Sequence, residues 1–485
     1  MRRLWLGLAF TLALVGGPSR GAEPAETTAW FTLYAEEGEK VGRIIETVTV
    51  RPDGREIVDE QEITVREQGA PVTRIVQTNT RREDAQGRTV FLSLYSLVGR
   101  EWTRIEATIR DGRAVIVRRT ASGHHQSIVP LPPAVRFDAG EGLLAGWDPA
   151  ATPSLEFDNF NLDFMVVEHV AITPATGAPP TAAPTANGGM SVLRSRYEGG
   201  SLQGVSRLTL DARRDIVAVV LPRFGTSLTV RITDRATALA PYEPYRVLPK
   251  TMTKSPFRIP PGALQGHIRY RFTFQDGLEF PLPQTGEQKA VLSGGAAVVD
   301  ICETCGPGLP TDPAYLADAL KPTAWLQSDH PKVRAIAARV INLKVSDTRR
   351  MQMLVEAVVP RLGRIDFTGH FSAVDALNRH AGDCTEAAVI LAAAARAAGI
   401  PAKVVNGLVY SRERYHGVSN AFLPHSWVLA YVDGHWKSFD AALLTFDSSH
   451  IALTVGDGEA RSLAASGQLA SLLDWRDLAE VRARP

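Results

Sequence analysis

The residues best able to do chemistry lie in the last quarter of the chain. Cys384 stands in Gly382-Asp383-Cys384-Thr385-Glu386, ahead of an alanine-rich run over 387–398 that Gly399-Ile400-Pro401 stops. Asp383 is a good N-cap, Glu386 three residues on completes a capping-box pair, and Gly399 suits the C′ position. The pattern predicts a mostly buried helix with Cys384 at its first position, where the positive end of the helix dipole favours thiolate. An inert buried cysteine would sit more naturally among the alanines. A thiolate nucleophile needs a base, and His425 and Asp440 flank the two-residue turn Asp433-Gly434 of a predicted hairpin. If only those two residues turn, Val432 pairs with His435, Trp427 lies opposite Asp440, and His425 lies opposite Ala442. Alternate residues share a face, so His425 and Asp440 are diagonal neighbours, about 7–8 Å apart between backbones. His435 falls on the other face, and a one-residue bulge would reverse this parity. An imidazole beside a carboxylate has its tautomer fixed and its charged form stabilised.

Helices and strands must hold these groups in place. Apolar residues at three and four spacing predict helices over Pro331–Val345 and Arg349–Val359, with a short helical turn at Phe371–Asn378. Strands are expected at Pro401–Tyr410, His425–Val432 and His435–Asp440, a loop at Ser411–Pro424, and a last amphipathic helix at Gln468–Arg484. His416, in that loop, is a poorer base than His425, since a base must be held within hydrogen-bond reach. His450 ends Asp447-Ser448-Ser449-His450, where the local Asp and Ser equally suit the capping of a turn. The other two cysteines form Cys302-Glu303-Thr304-Cys305. Zinc would need a second ligand pair, and a thioredoxin-type site would start a helix that Gly306, Pro307, Gly308 and Pro310 forbid. A local disulfide is the plain reading, which leaves Cys384 unpaired.

As a set, several stretches resemble the bacterial transglutaminase-like superfamily. They are Gly382-Asp383-Cys384-Thr385-Glu386-Ala387, Ala395 to Gly407, His425-Ser426-Trp427-Val428 and Trp436-Lys437-Ser438-Phe439-Asp440-Ala441. The resemblance covers roughly 312–457. It implies a papain-like core in which Cys384 is the nucleophile, His425 the base and Asp440 the residue that orients it. Phe367 departs from the pattern: many relatives carry tyrosine there, and any help from that hydroxyl is missing here.

Upstream, from Trp30 to about Thr233, residues alternate at period two between tight turns such as Pro52-Asp53-Gly54 and Asp111-Gly112. Many short strands joined this way predict an antiparallel sheet or half-barrel, interrupted by an Ala/Pro/Thr-rich loop at 174–189. No convergent polar cluster is apparent in this region, and His124-His125 reads as a surface hairpin feature rather than a metal site. A smaller β region follows, with strands near His267–Thr273 and Lys289–Ser293. At the start of the chain, Arg2-Arg3, a twelve-residue apolar run from Leu4 to Val15, and Ser19-Arg20-Gly21 predict a secretory signal cut after Gly21, with an uncleaved anchor as the alternative.

The 485 residues carry 53 basic and 52 acidic side chains, so no global field draws nucleic acid or an anionic membrane. No Gly-x-Ser-x-Gly elbow, HExxH helix, P-loop or Rossmann glycine pattern is present. The expected protein is α+β: a signal at 1–21, an antiparallel β domain at 22–236, a small β segment at 237–311 ending in the CxxC, and a transglutaminase-like catalytic domain at 312–485. Its expected activity is exported, periplasmic or secreted thiol-dependent acyl transfer on peptide or protein amides. No cofactor or metal is needed, and no membrane span remains after signal cleavage. Hydrolysis is preferred because it needs no second binding site. The alternatives are protein-glutamine transglutamination and a binding or scaffold protein with an idle triad.

Overall fold

The computed structural model describes residues 25–485 apart from 36–37, 67–71, 100, 122, 176–188, 224–225, 247–250, 366–369, 414–417, 475–480 and 483–485. The expected signal segment at 1–21, most of the loop at 174–189, Phe367 and His416 therefore lie outside the described residues. Two compact units divide the chain at residues 247/248.

The N-terminal unit is built on one antiparallel sheet of 14 strands. Neighbours in sequence pair along two meanders, from Ala25–Ala35 out to Gly123–Pro130 and from Thr226–Thr233 out to Leu155–Asn161. The meanders join where Ala25–Ala35 pairs with Thr226–Thr233, from Trp30↔Thr233 to Ala35↔Leu228. A twisted sheet this wide must curl. It does, and its two ends meet through residue 136: the Arg136 amide donates to the Asp158 carbonyl at 2.8 Å, and the Phe160 amide to the Arg136 carbonyl at 2.8 Å. Leu92, Leu94, Ile105, Ala107, Ala114, Ile116 and Phe160 then form one buried cluster, although Phe160 lies on the opposite edge strand.

Period-two alternation also buries charge here, which corrects the expectation of no polar cluster. Glu46 shares its face with buried Ile44 and Val48, and it pairs with Asp59 on the next strand. Arg81 and Arg194 are buried as well, and so are both carboxylate oxygens of the partly exposed Glu141. The charges of Arg194, Asp138, Glu46 and Arg81 all act on Glu141, although Arg194 comes from a strand far from those of Glu46 and Arg81 in the sheet order. Only the curling of the sheet brings them together, and that is not legible in local alternation.

In the C-terminal unit, the small β region is no separate segment. Its strands His267–Phe274, Gln288–Ser293 and Ala296–Ile301 are joined by Leu473–Asp474 and Val481–Arg482 from the end of the chain. The expected boundary at 311/312 therefore cuts through a compact unit that begins at 248. A second sheet carries the chemistry. Its order is Thr253–Lys254, Ala421–Val432, Ala402–Ser411, Ile451–Gly456, with His435–Phe439 paired to Ala421–Val432. The helices Pro331–Ala337, Asp347–Val358, Ala373–Arg379 and Cys384–Ala397 supply one core with that sheet, through Val333, Leu354, Leu377, Ile390, Val404 and Val428.

Two helix expectations need correction. The first ends at Ala337 rather than Val345, and Ile341, Leu343 and Val345 stay exposed. The last runs over Ala460–Leu472 rather than 468–484, because its following residues Leu473–Asp474 pair with Thr273–Phe274 as sheet. An end-strand partner outweighs amphipathic periodicity in so short a run.

Candidate active site

The Cys384–Ala397 helix begins as its sequence requires. Asp383 Oδ1 accepts the Thr385 amide at 2.7 Å and Glu386 Oε2 accepts the Asp383 amide at 3.0 Å, closing a capping box. Cys384 is the first helical residue and is partly exposed. Glu386 does more than cap. It is fully buried, and its Oε1 accepts the Phe371 amide at 2.9 Å and lies 3.6 Å from His370 Nδ1. His370 in turn bonds the Gly458 carbonyl through Nε2 at 2.6 Å and stacks on Trp325, with centroids 4.5 Å apart. Burial and the neighbouring Asp383 push the Glu386 carboxyl up, with His370 and the Asp383 amide opposing. The turn before the cysteine is thereby tied to three other segments of the unit.

Across from it stands the hairpin. Asp433 and Gly434 both have positive φ, 49° and 89°, as a type I′ turn demands, and Val432↔His435 through Val428↔Phe439 pair without a bulge. His425 and Asp440 thus share a face, and His435 is exposed on the other. His425 Nε2 lies 2.6 Å from Asp440 Oδ2, and both side chains are buried. The Cys384 sulfur acts on the same ring, and with Nε2 engaged by Asp440, Nδ1 is the nitrogen left for it. Burial works against charging His425, but the Cys384 sulfur and the Asp440 carboxylate outweigh it, and the imidazole is pushed up to about 10. Burial likewise opposes the Asp440 charge, and His425 and His450 overcome it, holding that carboxyl well below the usual range.

One glycine makes the sheet possible at this point. Gly407 pairs with His425 on one side and Ala452 on the other. A Cβ there would sit 2.0 Å from the Ile451 carbonyl and 3.0 Å from the Trp427 ring, so only glycine lets Ile451–Gly456 approach. That approach delivers His450, whose local sequence suits a turn. Its Nε2 lies 3.2 Å from the same Asp440 Oδ2 that His425 uses. The turn reading was half right, since Asp447 Oδ1 does accept the Ser449 amide at 2.9 Å. The signal for His450 is the pairing of 451–456 with 402–411, which no local motif encodes.

Cys302 and Cys305 are joined as a disulfide, and Cys384 is free. A cleft of about 650 Å³ opens beside Asp440 between Phe439, Leu444, Phe446, Arg349 and Glu287, and neither Cys384 nor His425 lines it. Among the described residues no helix is long and apolar enough to cross a membrane.

With this geometry in place, comparison with known proteins is informative. Residues 323–441 match the transglutaminase-like superfamily. No curated protein matches the chain. Among solved structures, it is similar to a "putative cysteine protease" from Cytophaga hutchinsonii, 18% identical over 43% of this chain and 82% of that one, with a TM-score of 0.28. It is similar to a "putative protease" from Parabacteroides distasonis, 14% identical over 77% and 69%, with a TM-score of 0.20. A β-barrel-like protein of a domain of unknown function from Brucella abortus is 14% identical over 44% of this chain and 96% of its own, with a TM-score of 0.33.

Proposed function

We propose that the transglutaminase-like domain formed by residues 323–441 works with its flanking strands as a thiol-dependent hydrolase of peptide or protein amides, with Cys384 as nucleophile, His425 as acid and base, and Asp440 as orienter. The observation that carries this reading is the buried pair His425 Nε2 and Asp440 Oδ2 at 2.6 Å, with the free Cys384 at the first position of its helix acting on the same ring. In the first step the thiolate attacks the amide carbonyl and forms a C–S bond. The developing oxyanion meets the backbone N–H of Cys384 at the helix start. The C–N bond then breaks, and the proton on His425 goes to the leaving amine. In the second step His425 takes a proton from water, the hydroxide oxygen attacks the thioester, and the thiolate leaves with the carboxylic acid formed. Asp440 keeps Nε2 protonated and the ring turned toward the sulfur throughout. An amine in place of that water would make the same site a transglutaminase.

We further propose that the enzyme acts outside the cytoplasm, on the strength of the double-arginine start and the short apolar run that follows it. The test uses the full chain with iodoacetamide near pH 7. Cys384 is expected to alkylate at least about tenfold faster than a free thiol, and cleavage of exported-protein or cell-wall peptides to vanish in Cys384→Ala. Alkylation at the rate of a free thiol would leave the scaffold alternative instead. Product analysis with an added primary amine separates hydrolysis from transamidation.

A further inference from the structure

We propose that His450 is a positioning residue of this site, a second imidazole that shares Asp440 Oδ2 with His425 and so limits how much of the carboxylate's charge His425 receives. The inference rests on the reading of Cys384 and His425 just given. Its basis is the full set of Asp440 partners. Oδ1 accepts the Ala442 and Leu443 amides at 2.7 and 3.0 Å, which fixes the carboxylate plane. Oδ2 faces two imidazole nitrogens at once, His425 Nε2 at 2.6 Å and His450 Nε2 at 3.2 Å.

His450 is itself anchored from behind. Its Nδ1 lies 3.1 Å from the Asp447 carbonyl and 3.2 Å from Asp447 Oδ1. Its ring is buried between Phe446, at 4.7 Å, and the edge-on ring of Trp427, at 5.2 Å. An imidazole in such apolar walls is costly unless its nitrogens are satisfied. Here Asp440 and Asp447 do so, raising His450 against burial and against the charge on His425.

Two features separate this arrangement from packing or a metal centre. The rings of His425 and His450 stand 5.6 Å apart, so charge on one opposes charge on the other, an expense that a phenylalanine at 450 would avoid. The ligand atoms of His425, Asp440 and His450 all lie within 4.8 Å of one another. At 2.6 and 3.2 Å, however, both nitrogens stand at hydrogen-bonding distance from the same oxygen, and the other carboxylate oxygen is committed to two amides. For catalysis the consequence is specific. A carboxylate devoted wholly to His425 would hold its proton too firmly for easy donation to the leaving amine, and a second claim on the same oxygen weakens that hold.

The groups facing His425 are Cys384, Asp440 and His450, and those facing His450 are Asp440, Asp447 and His425. Tyr270 stands nearby with its hydroxyl donating to the Ser448 carbonyl. The experiment follows iodoacetamide alkylation of Cys384 against pH in the full chain, read by mass spectrometry, for the wild type, His450→Phe and His450→Gln. The alkaline step in the profile marks loss of the proton on His425. In His450→Phe that step is expected to move upward by about 0.5–1 in pH, because His425 gains the whole carboxylate. In His450→Gln, which offers Asp440 a neutral N–H, it is expected to move about half as far. Should the phenylalanine variant fail to fold, the glutamine variant alone decides. A step that stays put or moves down in a folded variant, with Cys384 still fast, overturns the role of His450 alone. Stoichiometric zinc held by the wild type and lost from His450→Gln would overturn it as well. Cys384 reacting like a free thiol in the wild type overturns the underlying triad reading and this inference together.

Discussion

Both units bury carboxyls, and the acids of the first unit contrast with the one beside His425 in the second. In the N-terminal sheet, Asp59 is pushed well above its ordinary value by burial and by its cross-strand neighbour Glu46, with Arg81 opposing too weakly. Glu141 is pushed up the same way, and neither of its oxygens has a hydrogen-bond partner. Asp163 is raised to about 7 by burial and Glu168. In the C-terminal site, Asp440 is just as buried, yet it is held well below its ordinary value because both oxygens have two donors each. Burial alone therefore does not decide whether a carboxyl is neutral or charged. The count and charge of its partners do. Neutral acids in the first unit are suited to packing, whereas a fully partnered carboxylate beside an imidazole and a thiol is suited to moving protons.

The strongest test of this contrast is chemical. Cys384→Ala and His425→Ala should each abolish amide cleavage, a loss of at least about 10³-fold, while Asp59→Asn and Glu141→Gln should leave it within about twofold. Asp440→Ala should retain more, losing about 10²-fold, since Asp440 touches no substrate. Next in size is stability, read by calorimetry. Asp440→Ala strands two imidazoles and two amides and should cost about 3–5 kcal/mol. Asp59→Asn, which replaces a neutral acid by a neutral amide, should cost under about 1 kcal/mol.

The pH dependence of unfolding should then run in opposite senses. Asp163, raised from 3.8 to about 7, binds its proton more tightly when folded, so its contribution is full below 3.8 and lost as pH rises to about 7. Asp440, lowered, contributes fully above 3.8 and loses that contribution as pH falls below it. His425, raised from 6.5 to about 10, contributes fully below 6.5 and loses its share as pH climbs through about 10. Parallel trends for Asp163 and Asp440 would break the comparison. The smallest effect belongs to His435→Ala, exposed on the far face of the hairpin, which should keep most of the activity. A dead His435→Ala beside an active His425→Ala would place the base on the wrong strand face.

The sequence by itself determined the parts whose geometry is local. Asp383 and Glu386 fix the start of the helix because capping bonds span three residues. Asp433-Gly434 fixes the hairpin register because both positions must adopt positive φ, and register then puts His425 and Asp440 on one face. At Pro52-Asp53-Gly54 the sequence marks a tight turn without its register. The structure turns on two residues, which sets Glu46 against Asp59. Tertiary structure alone decided the rest. The short first helix, the shifted last helix and the small sheet all depend on partners distant in the chain, which compete with local propensity. The charged interior of the first unit exists only because a sheet of 14 strands curls until its ends meet. His450 reaches Asp440 only because Ile451–Gly456 lies beside Ala402–Ser411, a contact between segments some fifty residues apart that carries no mark in either one.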